Sequence, residues 1–374
     1  MPITLCCATH NKDAFVMAMS KKTRQYGLTL VELMVAITLG LIVVAGLSAL
    51  FVNNSRARSE IERVNQQIDN GRYAMQLLTD DLRSAGYFGE FNPKLLASPA
   101  TKPDPCSIVL SDLKAALPLA IQGYDNGVSA PSCVSDVRTG TDIVVVRRAS
   151  TCAIGETDCD AAISGAPYFQ ASTCSIELAA TNPANYYALD TDTSKLIALH
   201  KNDCTLTTPG TIAPLRQYRT HIYFIANNDK PGDGIPTLKR AELGVAGGVA
   251  VFTIVPLVEG IENLQIEYGI DTIATPPATT GNPALFTADP DSVGSCAGTT
   301  CIENWRNVVA AKVHVLARNT TQSTGYSDNK TYTLGLLADG TTANTVTPPT
   351  GDHYRRHLYK SVVRLNNTAG RNTP

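Results

Sequence analysis

An excess of positive charge is the first thing this chain lacks: 31 Lys and Arg stand against 33 Asp and Glu over 374 residues. That excludes a general nucleic-acid-binding surface, which needs clustered cations. A P-loop and a dinucleotide-binding glycine motif are missing as well. The ten cysteines include no C-x2-C pair, a common zinc-ligand spacing. His200, His221, His314, His353 and His357 belong to no catalytic pattern. His221 and His314 fall in strand-like runs, where half-exposed packing roles are expected. No enzyme activity, catalytic residue, metal or cofactor is therefore expected.

Charge is scarcest between Gly27 and Val52, where Glu32 is the single charged side chain. The apolar run from Leu28 to Val52 is 25 residues long. At about 1.5 Å per residue it makes roughly 37 Å of helix, enough to cross a bilayer core of about 30 Å with some tilt. Residues 28–52 are read as a transmembrane segment. Lys12, Lys21, Lys22 and Arg24 precede it, which places the amino-terminal end in the cytoplasm and everything after Val52 outside. Those four cations and Asp13 give residues 1–27 a charge of +3, leaving −5 for the remainder of a chain that totals −2. A secretory signal carries its cleavage site behind a shorter apolar stretch, whereas Gly27 stands in front of this one. Cleavage there would remove a basic leader and keep the helix. A carboxylate inside a membrane helix costs about 2.5 to 3.5 kcal/mol on insertion scales, so Glu32 is expected to serve a partner.

The helix is expected to continue past the membrane. Ile61, Val64, Ile68, Met75, Leu78, Leu82 and Ala85 fall three and four apart, with Gly71 in the one vacant slot, and form a single stripe. Arg56, Arg58, Arg63, Arg72 and Arg83 and Glu60, Glu62, Asp69, Asp80 and Asp81 occupy the other faces as on a solvated helix. Gly86 supplies the stop signal. A helix from Leu28 to about Ser84 would be on the order of 85 Å long. Gly71 marks either a flexible point or a close contact, since glycine costs a helix about 1 kcal/mol relative to alanine.

Cys6 and Cys7 lie in the leader, and cleavage at Gly27 leaves Cys106, Cys133, Cys152, Cys159, Cys174, Cys204, Cys296 and Cys301. An even number outside the inner membrane is read as disulfides rather than zinc. Connectivity stays open among 105 possibilities, although Cys296 with Cys301 and Cys152 with Cys159 close the shortest loops, and Cys106 with Cys133 would staple a proline-rich stretch. Strands are expected over 142–147, 221–226, 236–240, 249–256, 309–317 and 359–365. Leu264, Ile266 and Tyr268 alternate with Gln265 and Glu267 as in a half-buried strand. Asp229 and Asp233 between two of these runs hint at calcium, but without EF-hand spacing the segment reads as a turn.

Two resemblances gather these features. Gly27-Leu28-Thr29-Leu30-Val31-Glu32 resembles the type IV prepilin motif, with leucine in place of the usual phenylalanine. The order Val258-Glu-Gly-Ile-Glu-Asn-Leu-Gln-Ile-Glu-Tyr-Gly269, then Trp305 leading into Val308–Arg318, then Arg355-Arg-His-Leu-Tyr-Lys-Ser-Val-Val-Arg-Leu-Asn-Asn, resembles the PilW family of type IV pilus minor pilins. The resemblance implies an α+β fold, a long pilin helix packed on a disulfide-rich, mainly antiparallel β ectodomain. The expected divisions are a prepilin leader over 1–27, the long helix over 28–86, an irregular Cys-rich region with β elements over 87–215, and a β-sheet domain over 216–374. The resemblance further implies cleavage after Gly27 and N-methylation of Leu28 by a prepilin peptidase, with Glu32 registering subunits during assembly. Other minor pilins, the major pilin and a large tip adhesin are the implied partners. The inner membrane, the periplasm and then the pilus at the cell surface are the implied locations. A minor pseudopilin of type II secretion and a membrane-tethered adhesin are the competing readings.

Overall fold

The computed structural model describes residues 27–205, 211–271 and 280–372. Cys6, Cys7 and the basic leader residues lie outside the described residues. The chain divides into two units, Met1–Arg58 and Ser59–Pro374, and each is taken by itself.

Helix α1 runs from Leu30 to Ser84 and belongs partly to each unit. In the first unit every large apolar side chain from Leu28 to Val52 is exposed, Leu28 itself by 74%. Such a stretch is long and apolar enough to cross a membrane. In the second unit the helix buries Gln67, Gly71, Ala74, Leu78, Thr79, Asp81 and Leu82. Gly71, Leu78, Leu82 and Ala85 of the expected stripe are thus buried, whereas at its start Gln67 is inside and Ile61 is not. Ile61 is 60% exposed, and Gln67 is inside because its amide donates to the carbonyls of Ala317 (2.9 Å) and Arg355 (3.0 Å). Gly71 is a close contact: a Cβ there would lie 2.1 Å from the Tyr359 ring. Beyond Ser84 the chain turns at Gly86, whose φ of +72° is open to glycine at little cost.

Among the described residues thirteen strands follow, all paired antiparallel. Strands β1 (Ile121–Tyr124), β2 (Ile143–Ala153), β3 (Tyr168–Ala171), β4 (Tyr187–Asp190), β5 (Leu215–Ala226), β6 (Thr237–Ala246) and β7 (Val249–Glu259) form one sheet. Its path is β1-β2-β5-β3-β4, and β5 also pairs with β6, which pairs with β7. Strands β8 (Ile261–Ile270), β9 (Leu285–Thr287), β10 (Val308–Arg318) and β13 (Arg356–Arg364) form a second sheet in the order β13-β10-β8-β9. A ribbon of β11 (Tyr332–Leu336) and β12 (Ala343–Val346) stands apart. Short helices α2 (Leu110–Ala116), α3 (Ser175–Leu178), α4 (Thr299–Arg306) and α5 (Asn366–Asn372) sit in the connections. The seven-stranded sheet draws β1–β4 from the region before Leu215 and β5–β7 from the region after it. It therefore crosses the 215/216 division expected from the sequence, because β2 pairs with β5 from Val144 opposite Tyr223 onward.

The main core lies where α1 meets both sheets. Ala74, Leu78, Leu82 and Ala85 pack with Val144 and Val146 of β2, Ile225 of β5, Ile266 of β8 and Val313 of β10. Strand β8 is buried at all ten positions, not on alternate ones. Its polar face is covered and satisfied: Gln265 accepts from the Asn344 amide on β12 at 2.9 Å, and Glu267 meets His314 Nε2 at 3.0 Å. Asp142, at the entry to β2, ties the two sheets together by accepting from the N–H of Ile266 (2.7 Å) and of Asn126 (2.9 Å). Burial and the neighbouring carboxylates Asp125 and Asp289 push its carboxyl up to about 8, against the pull of those two N–H donors.

Candidate functional site

The segment from Gly27 to Glu32 carries the residues expected to be processed. Gly27, Leu28 and Thr29 precede the helix, are not helical, and are exposed. Thr29 is the residue before the first helical one, and Glu32 is the third residue of the helix. The Glu32 N–H donates to Thr29 Oγ1 at 3.3 Å, while the Thr29 N–H and hydroxyl donate to Glu32 Oε2 at 3.4 and 3.3 Å. This reciprocal pair is a capping box, which satisfies two of the N–H groups a helix start leaves open. Thr29 was the residue that sequence reasoning undervalued, and its signal was legible: Thr-x-x-Glu immediately ahead of an apolar run. The exposed remainder of the apolar run surrounds Glu32 with side chains that this chain does not cover.

A second carboxylate on α1 sits in the opposite circumstance. Asp81, placed on the solvated face by the sequence reading, is buried. Its oxygens meet Arg148 Nε at 2.7 Å, His221 Nδ1 at 2.7 Å and the Tyr223 hydroxyl at 2.9 Å. Burial would raise this carboxyl, but the hydrogen bond and charge of His221 and the charge of Arg148 outweigh it and hold the group well below the usual carboxylate range. His221 and His314 are likewise buried and paired with carboxylates, not half-exposed. Glu60, on the same face of expectation, accepts from the Ser323 hydroxyl at 2.8 Å.

The eight cysteines after Gly27 form four disulfides, Cys106–Cys133, Cys152–Cys159, Cys174–Cys204 and Cys296–Cys301. In the loop between β5 and β6 the Asp233 carboxylate accepts from the N–H groups of Asp229, Lys230 and Ile235 at 2.8 to 3.1 Å, so it organises a turn. Among the described residues no group of three or more His, Cys, Asp or Glu side chains is arranged to hold a metal ion.

Comparison with known proteins divides the chain along the same lines. Residues 222–367 match the family described as Type IV Pilus-assembly protein W. Residues 22–48 match the prokaryotic N-terminal methylation motif. A solved type IV-like pilin from Thermus thermophilus is similar over 80% of this chain and 97% of that one, at 10% identity and a TM-score of 0.32. No curated protein matches the chain.

Proposed function

We propose that this chain, a minor pilin of type IV pilus assembly whose carboxy-terminal region is of the PilW family, is cut after Gly27 by a prepilin peptidase and methylated on the Leu28 amine. Glu32 then brings it from the inner membrane into a filament. The observation that carries this reading is the exposed apolar run from Leu28 to Val52, interrupted by one carboxylate. Such a surface needs cover from outside the chain, first from lipid and then from the helices of neighbouring subunits. In that surrounding a carboxylate is costly unless a cation lies near, and the amine of an adjacent subunit supplies one. The ectodomain faces the periplasm before assembly and the cell surface after it. Its position is near the pilus tip, where it contacts other minor pilins, the major pilin and a large tip adhesin. The role is structural, and catalysis is no part of it.

Intact-mass and amino-terminal analysis of the protein from sheared pili tests processing, methylation and filament residence together. The expected result is a chain beginning at Leu28 with one added methyl group. Recovery of only the full-length chain from cells with an active prepilin peptidase overturns the proposal.

A further inference from the structure

We infer that the open cavity between α3 and the turn after α1 docks an acidic, apolar peptide segment of a partner protein. The cavity is about 720 Å³, within the range of roughly 300 to 1,000 Å³ typical of ligand sites. All of its lining residues fall between Tyr87 and Arg216, outside both stretches that match known families, so it is a feature of this chain's own middle region.

Two chemistries meet in it. The floor is apolar, with Phe88, Phe91 and Phe169 buried beneath it and tilted against one another at 5.2 and 6.0 Å. Leu95 and Leu178 stand at the edge, 52% and 41% exposed. The same lining carries Lys201 and Arg216. The Arg216 guanidinium lies 5.6 Å from the Tyr87 ring centre and donates to the carbonyls of Ser150 and Thr151, and among the described residues it has no counter-ion. Among the described residues the Lys201 ammonium has no ion-pair partner. Glu90 is the one carboxylate in the lining, and its charge acts on the Arg371 guanidinium, which donates to the carbonyls of Gly86 (2.7 Å) and Gly89 (3.3 Å). Glu177, next to the cavity, is already engaged by Ser172 and by His200 Nδ1 at 2.6 Å.

A purely apolar ligand would cover two cations and leave them unpaired, which is expensive. A simple anion would leave the leucines in water. A ligand with a carboxylate beside an apolar side chain meets both needs. Leu95 and Leu178 bring the apolar contact up to the open edge, and an occupant that covers both leaves the cavity there as a chain segment does.

The test places a photo-crosslinking residue at position 178 of the full chain in piliated cells and identifies the adduct by mass spectrometry, with position 128 as the control. Val128 is exposed and does not line the cavity. The expected adduct is one protein segment with Asp or Glu next to apolar residues. Lys201→Glu should cut its yield at least five-fold, and a Lys placed at the partner's acidic position should restore it. Lys201 is exposed and has no ion pair among the described residues, so the variant's protease resistance should match the parent chain's. Adducts only to segments without acidic residues, a yield indifferent to Lys201→Glu, adducts only to small molecules, or equal labelling from positions 178 and 128 would each overturn the inference.

Discussion

Glu32 and Asp81 are carboxylates on the same helix, and the difference between them separates what the chain completes alone from what it leaves for other chains. Asp81 is closed: Arg148, His221 and Tyr223 use its oxygens, and its side chain is buried. Glu32 is open: among the described residues its hydrogen bonds run to Thr29, three residues earlier, and the apolar surface around it is exposed. A buried polar group within a finished fold arrives with its partners. One that stands ready for burial elsewhere keeps only a local bond that does not compete with a charge.

The sharpest way to break this comparison is to exchange the consequences. Glu32→Ala should leave membrane insertion, cleavage and ectodomain stability unchanged, yet lower the amount in sheared pili by at least about ten-fold, the scale of one lost charge pairing of about 1.4 kcal/mol or more. Glu32→Gln keeps an oxygen for the capping box and removes the charge. It should fail equally if the charge is what matters, and entry at wild-type level by either variant would remove Glu32 from assembly. Asp81→Ala should do the reverse, costing about 3 to 5 kcal/mol in urea unfolding because it strands Arg148 without its counter-ion. A cost under 1 kcal/mol would mean that the pocket relaxes or admits water. The sign of its pH dependence is fixed as well. A carboxyl held below its unfolded value contributes stability above about pH 4 and loses it as the pH falls, so the parent chain and Asp81→Asn should converge in acid.

Two smaller effects sharpen the contrast from the side of the fold. Gly71→Ala would gain about 1 kcal/mol of helix propensity, but its methyl would collide with the Tyr359 ring at 2.1 Å. Overpacking of this kind typically costs about 1 to 3 kcal/mol, so a net loss is expected in thermal unfolding. A gain would show that Tyr359 moves aside freely. Asp142 has a carboxyl raised to about 8, so the folded state holds a proton that the unfolded chain releases near pH 4. Stability should therefore decline as the pH rises between these values, by at most about 1.4 kcal/mol per pH unit. Asp142→Asn should flatten that part of the profile, and identical slopes for the two proteins would show that Asp142 stays ionised throughout.

The most legible parts of the sequence were those with one dominant physical cause. The uncharged run with Glu32 inside it, the glycine stop at Gly86 and the apolar strand runs each survive translation into structure. What was not legible depends on pairing between distant segments. The inward turn of Gln67 needs the carbonyls of Ala317 and Arg355, and the burial of Asp81 needs a histidine 140 residues away. The full burial of β8 needs a ribbon 79 residues on, where Asn344 reaches Gln265. The cavity is illegible for the same reason, since its walls come from separate stretches whose local composition reads only as loop. At the amino terminus the opposite holds: the Thr29 cap is local, and Thr-x-x-Glu ahead of an apolar run spells it out.

The order of the four disulfides has a consequence for how the protein is made. Cys106–Cys133, Cys152–Cys159, Cys174–Cys204 and Cys296–Cys301 neither cross nor nest. Each cysteine takes the next one along the chain, so a chain delivered from its amino-terminal end presents every correct partner before any wrong one downstream arrives. Oxidation can then keep pace with emergence, and no wrong bond has to be undone by exchange, the step that otherwise slows disulfide folding to minutes or hours.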